Sequence, residues 1–373
     1  MTMFEDLCVE CGTPTYITEQ QHWLNTGDIV YVRSPDRRMS FLETENLDSL
    51  IDGMEEILGI SIEHIVMAAF RNSVRGYLEF LLPDNINELV RTGQVDPKAI
   101  DQLFADVARV AGNGVYEILE VRYEQDDNDF FTDSITEPYS VPLCAAMHAG
   151  GIESIFGYDH EVTYLEATPG VYRLTAYPSE HPEEIERKIY SLVYEHHDGD
   201  IELEKCPTCG GPKALSGFTW HLDRGVILDD LTGRRMALLG QSLLSPVFSA
   251  LEQELGESGP QLIVEAQRRF VRNGFYTMDD VRDEEYFRTW LALRGWGNLC
   301  NLEVGSQGLS MKLDNATMHL LIVGMMQGIF DAAFDTDTRV EWEMSEEREL
   351  ELEVKPLASL TYMGDLALPR GGV

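Results

Sequence analysis

Positive charge is scarce in this sequence. Its 373 residues carry 28 lysines and arginines against 65 aspartates and glutamates, a formal net charge of -37. Such a field repels phosphate backbones and anionic lipid surfaces, so nucleic acid is not an expected partner. A solvated acidic surface, a basic partner or a salty cytoplasm remain open. Long apolar runs are also missing. The stretch "LLIVGMM" at 320–326 is far short of the roughly 20 residues that span a bilayer, and no membrane span is expected. The beginning, "MTMFEDLC", has neither a basic region nor an apolar core, which sets the expectation of a cytoplasmic protein. Nucleotide and catalytic signatures are absent: no phosphate-binding loop of the GxxxxGKS type, no HExxH, no GxSxG, no kinase set. Gly112-Asn113-Gly114 precedes a strand pattern and reads as a turn. No catalytic residue is therefore named, and no enzymatic activity is expected.

Cysteine is scarce too, with six in the chain, yet four stand in two similar pairs, "CVECG" at 8–12 and "CPTCGG" at 206–211. Two thiolates at i and i+3 come round one tight turn onto one metal ion, and the following glycine permits the backbone turn that aims amides at the sulfurs. One pair supplies two ligands, and a structural zinc takes four. Cys8, Cys11, Cys206 and Cys209 are thus the candidate ligands of one structural Zn2+. Competing readings are separate sites completed by residues such as His22 or His221, an iron–sulfur cluster, or a redox dithiol. Cys144 and Cys300 sit in apolar surroundings and read as buried, inert thiols.

The pairs head an internal repeat. Trp23 matches Trp220, and Arg37-Arg38-Met39 matches Arg234-Arg235-Met236, both at a shift of 197. Val74 and Val271 keep that shift. "GNGVYEILEV" (112–121) then pairs with "GWGNLCNLEV" (295–304), and "MHAGGIESIFG" (147–157) with "GMMQGIFDAAF" (324–334). Helical spacing marks 47–70 and 247–271; alternation marks "EILEVRYE" and "TYLEATPGVYRLTAY" as strands. The expected fold is α+β: two duplicated domains, each a helical layer on a twisted antiparallel sheet, joined by a zinc-ribbon-like four-cysteine site. Expected boundaries are 1–180, a helical linker 181–205, 206–357 and a tail 358–373. Residues 1–180 and 200–357 should superpose about a pseudo-twofold axis.

The stretch from "GNGVYEILEV" to "VPLCAAMHAGGIESIFGYDHEVTYLEATPGVYRLTAYP" resembles the 4-vinyl-reductase-type, or hydrocarbon-binding, domain. Pro142, Cys144, Gly150, Gly157 and Glu166 stand at the family's places. That family is similar to TRAPP subunits and to haem-nitric-oxide-binding domains. The resemblance implies a domain enclosing a small apolar or aromatic ligand, with a sensory role. Many members carry a zinc site of one Glu followed by two Cys; after Glu166 and Glu341 no Cys follows, so that site is lost here. Ligand-binding candidates are Cys144, Met147, His148, Gly150, Phe156 and Tyr158, with Met318, Met325, Met326 and Phe330 in the second copy, although core packing also accounts for such soft side chains. His148 also reads as a satisfied core histidine, and His196-His197 as a solvated pair. The second function class is an assembly subunit presenting the paired halves to a protein partner. The third is an enzyme on a tetrapyrrole or aromatic substrate, with no catalytic constellation behind it.

Overall fold

Pro14 opens α1 (Thr15–Gln20) in a computed structural model that describes residues 4, 6–179, 196–281 and 283–357. A meander of β1 (Gln21–Trp23), β2 (Ile29–Tyr31) and β3 (Ser34–Glu43) follows. Next come α2 (Glu45–Leu58), α3 (Glu63–Leu81), α4 (Ile86–Arg91) and α5 (Pro97–Val110). The hairpin β4 (Val115–Arg122) and β5 (Phe130–Thr136) leads to α6 (Val141–Phe156) and to the hairpin β6 (His160–Thr168) and β7 (Val171–Pro178). After the second cysteine pair, a 3-10 turn at Lys213–Gly217 precedes β8 (Phe218–His221), β9 (Val226–Asp229) and β10 (Arg235–Gly240). Helices α7 (Gln241–Leu255), α8 (Gly259–Arg272), α9 (Met278–Val281) and α10 (Glu284–Leu293) come next. The chain ends in β11 (Asn298–Gly305), β12 (Gly308–Asp314), α11 (His319–Phe334), β13 (Thr338–Met344) and β14 (Leu350–Pro356). The start of the expected 181–205 linker and the 358–373 tail lie outside the described residues.

Local chemistry accounts for the element ends. Asp96 caps α5 by accepting from the Lys98 amide, with Pro97 preset for the first turn. Asp283 caps α10 through the Tyr286 amide. Gly59 and Gly157 close α2 and α6 in the left-handed region, at φ 70° and 82°, where a side chain would be strained. Helix α6 is buried almost all round, as is α11, so neither shows the one-sided stripe of a surface helix.

The fold is α+β, and its sheets are antiparallel throughout the described strands. Two four-stranded sheets run β4-β5-β7-β6 and β11-β12-β14-β13. The third runs β1-β2-β3-β10-β9-β8, with β3 against β10 at its centre. There Phe41 faces Leu238, while Met39 and Glu43 face Gly240 and Met236. Exchanging each residue for the one 197 places away maps this register onto itself. The largest core runs through both halves of the chain, with α3 against α6 and α7, α2 against α8, and α8 against α11. A buried polar chain crosses it: Gln267 donates to Asn46 (2.9 Å), Asn46 to the Tyr276 hydroxyl (2.8 Å), and Tyr276 to Glu43 (2.8 Å). Arg294 closes it on Glu43 at 2.7 Å.

The meander carrying each cysteine pair rests on the opposite half. The Gly114 amide donates to Gly225 O (2.9 Å), and the Gly297 amide to Gly27 O (3.2 Å). A Cβ on Gly27 or Gly225 would overlap the backbone it touches, so these turns need glycine for close approach. Trp23 donates its indole N–H to Leu293 O (2.9 Å), and Trp220 to Val110 O (3.2 Å). These contacts bring the two cysteine turns together.

Candidate metal centre

Both Cys-x-x-Cys-Gly segments fold the same way. The Cys8 amide donates to Thr13 O and the Gly12 amide to Cys8 O; the Cys206 amide donates to Gly211 O and the Gly210 amide to Cys206 O. Gly12 and Gly210 take φ of 73° and 76°. Bridges between Leu7 and Pro14 and between Lys205 and Pro212 close each turn. This geometry turns the amides of Glu10 and Cys11 toward the Cys8 sulfur and those of Thr208 and Cys209 toward the Cys206 sulfur.

The two turns meet sulfur to sulfur. Cys8 Sγ lies 3.7 Å from Cys206 Sγ, and Cys11 Sγ lies 3.5 Å from Cys209 Sγ. All four ligand atoms fall within 4.8 Å of one another. These separations are far longer than the roughly 2.05 Å of a disulfide, and all four cysteines are free. Burial opposes ionisation of Cys8, yet the Cys11 and Glu10 amides and the neighbouring thiols bring it down to about 7. Burial and the three other thiols push Cys209 up to about 12. Each ionised thiol in such a cluster opposes ionisation of the next, a repulsion that a cation relieves. The Thr208 hydroxyl donates to Glu10 at 2.8 Å, a direct hydrogen bond between the two turns. His22 and His221 do not join the cluster.

Five of the six ligand-binding candidates lie on α6, and Tyr158 follows its end. Cys144 is fully buried, its Sγ 3.6 Å from Asn113 O, and Met147 lies beside the Tyr116 hydroxyl. Phe156 packs on Tyr123 and Tyr158, and Tyr158 reaches the surface. Gly150 leaves no room: a Cβ there would stand 2.5 Å from Arg71 O and 2.9 Å from Val74 Cβ. The small residue serves close packing of α6 on α3, not an opening beside the helix. His148 faces β5, its Nε2 3.2 Å from Phe131 O and its Nδ1 3.3 Å from Asp133. The expectation that Cys300 is buried fails. It is exposed and lines an open cleft of about 590 Å³ with Asp200, Glu284 and Arg288, a polar surface feature rather than an apolar pocket. His196 and His197 are not simply solvated: His196 meets buried Asp28 at 2.6 Å, and the His197 amide donates to Asn315.

Asp101 and Asp133, beside His148, escaped the sequence reading. The available signal was register. Phe131, Asp133 and Ile135 share one face of β5, and the outer two are core residues. A carboxylate in a core-facing register is out of place unless it has a partner.

No helix among the described residues is long and apolar enough to cross a membrane. Neither the protein-family models nor the curated proteins give a match to the chain. Solved H-NOX structures match weakly. A mutant H-NOX of T. tengcongensis is 13% identical over 32% of this chain and 74% of that one, with a TM-score of 0.23. A Cs H-NOX mutant carrying 4-cyano-L-phenylalanine gives the same values. A third, concerned with heme distortion in the H-NOX family, is 14% identical over 31% of this chain and 72% of that one, again at 0.23. At that score the likeness carries no inference about function.

Proposed function

We propose that this chain is a zinc-stapled internal pseudo-dimer that acts as a binding protein rather than a catalyst. The observation that carries the staple is the sulfur geometry. Zinc–sulfur bonds of about 2.3 Å in a tetrahedron place the sulfurs about 3.8 Å apart, close to the 3.5 and 3.7 Å spacings between the two turns. A single ion suits that spacing better than an iron–sulfur cluster, which interposes several atoms between its thiolates. Cys8, Cys11, Cys206 and Cys209 would hold the zinc, and its binding would contribute to joining the two meanders.

The duplication is supported by the shared strand order of the four-stranded sheets, the self-matching register about Phe41 and Leu238, and the reciprocal turn contacts at Gly27–Gly297 and Gly114–Gly225. Within such a pair the first half is the candidate ligand-bearing domain, and the second a degenerate partner. A sensor of this kind would signal through a protein partner. The close packing at Gly150 favours a second reading, an assembly subunit whose paired halves present surfaces to other proteins.

Metal analysis of the intact chain tests the staple. One cysteine-bound zinc per chain is expected, lost equally in Cys11→Ser and Cys209→Ser. Two zinc ions held by cysteine, or zinc kept after removal of one pair, would overturn it. Native mass spectrometry of protein from its own host separates the functional readings. A bound small molecule supports the sensor, and a stoichiometric protein partner without one supports the assembly subunit.

A further inference from the structure

The first half holds a second cluster of ligating groups, unrelated to the thiols. Asp101 on α5, Asp133 on β5 and His148 on α6 are 7%, 1% and 5% exposed, and their ligand atoms lie within 4.8 Å of one another. Asp101 Oδ2 and Asp133 Oδ1 are buried without a hydrogen-bond partner. Burying carboxylates this way is expensive unless something positive or protic sits between them.

The histidine sharpens the argument. With its Nε2 3.2 Å from Phe131 O, a neutral His148 donates Nε2–H to that carbonyl. The lone pair on Nδ1 then faces Asp133 Oδ2 at 3.3 Å, acceptor against acceptor. An imidazolium would settle that contact, though 3.3 Å exceeds the 2.7–2.9 Å usual for a charge-assisted hydrogen bond, and the two aspartate carboxyls would still meet each other within hydrogen-bond reach, which only a shared proton or a cation relieves. A cation between the three relieves both the acceptor-against-acceptor contact and the carboxylate pair. Metal-ligand bonds of about 2.0–2.2 Å give neighbouring ligands separations of roughly 3–3.6 Å, which spans the Nδ1–Oδ2 spacing. The Phe131 carbonyl then supplies the outer hydrogen bond that fixes the tautomer of a metal-bound histidine.

From this geometry we infer that Asp101, Asp133 and His148 form a site for one divalent transition-metal cation, separate from the cysteine centre. Two carboxylates and a neutral imidazole carry two negative charges, which a dication balances. The nitrogen ligand favours a first-row transition metal over magnesium or calcium, whose sites are built from oxygens. Three protein ligands leave room for water or a small ligand in the metal's shell.

The second half has lost such a site. Gly328 meets Arg268 and Val271 as Gly150 meets Arg71 and Val74, which equates α11 with α6. On that equivalence, which rests on the proposed duplication, Met326 replaces His148 and Met311 replaces Asp133. Both methionines are buried, so the same positions form ordinary core.

Cobalt(II) added to full-length protein that carries one equivalent of zinc tests the site. Native mass spectrometry should show one further ion per chain, and the absorption spectrum should lack the sulfur-to-cobalt charge-transfer bands of a thiolate site. Asp133→Asn combined with His148→Gln should lose that ion and keep the zinc. Should the double variant not fold, Asp101→Asn alone should weaken cobalt binding by more than the roughly 10–100-fold typical of an outer-shell change. No second ion on the wild-type chain at saturating cobalt, or a second ion indifferent to these substitutions, overturns the assignment. Zinc at the cysteines is read in the same spectra, so failure of one centre is distinguishable from failure of the other.

Discussion

Placing a methyl group on Gly150 separates two accounts of the α6 surroundings. The added Cβ would sit 2.5 Å from Arg71 O, 2.9 Å from Val74 Cβ and 3.1 Å from the Arg75 amide. All three atoms belong to α3 near its backbone, so none can swing aside. Overpacking of this kind costs about 1–3 kcal/mol, while replacing a mid-helix glycine with alanine returns about 0.5–1 kcal/mol. Gly150→Ala should therefore destabilise the protein by up to about 2 kcal/mol. The next residue provides the control. At Gly151 the nearest atoms to an added Cβ are on Phe104 and Leu78, at 3.7 and 3.9 Å, ordinary contact distance. Gly151→Ala should stabilise by about 0.5–1 kcal/mol, so two adjacent substitutions on one helix take opposite signs. Gly328→Ala, facing Arg268 O at 2.7 Å and Val271 Cβ at 2.8 Å, should behave like Gly150→Ala. Urea midpoints at equal slope, with zinc present throughout, measure the differences. A Gly150→Ala protein as stable as wild type or more so would refute the reasoning and reopen a cavity beside α6.

Two other outcomes follow from buried charge. Glu43→Ala strands the Arg294 guanidinium, which is 2% exposed, and should cost about 3–5 kcal/mol in the same assay; a loss below about 1 kcal/mol would mean that Trp290 and neighbouring carbonyls already compensate Arg294. Burial lowers His160 and His319 to about 4, so both are neutral in the fold and bind protons more readily when unfolded, near 6.5. The stability they contribute is complete above about pH 6.5 and is lost as pH falls toward 4, at most about 3 kcal/mol each. His319→Asn should flatten that part of the stability–pH profile, and an unchanged slope in this variant would count against the assignment.

Parts of the fold and of the four-cysteine cluster were legible because they are local. Cys-x-x-Cys followed by glycine encodes a turn that two pairs of sulfurs share, and Gly12 and Gly210 take the positive φ that this turn needs. Alternation in "EILEVRYE" and "TYLEATPGVYRLTAY" marks strands, and Gly157 marks the end of α6. The role of Gly150 was not legible. A glycine in a helix signals either space or close approach, and the sequence does not say whether another backbone lies opposite. Cys300 shows the same limit: apolar neighbours in the chain did not bury it. Aligning the helices by sequence set Gly150 beside Gln327, whereas their packing equates Gly150 with Gly328, because low identity hides a one-residue offset that a tight contact exposes.

By itself the sequence determined the acidic surface, the absence of a long apolar span, the conformation of each cysteine turn and the alternation of most strands. These depend on composition or on residues within a few positions of one another. Tertiary structure alone decided that β3 pairs with β10 and that Asp101, Asp133 and His148 converge. Each of these joins groups from different elements, and the joining depends on which surfaces bury each other when the helices and sheets close around a shared core.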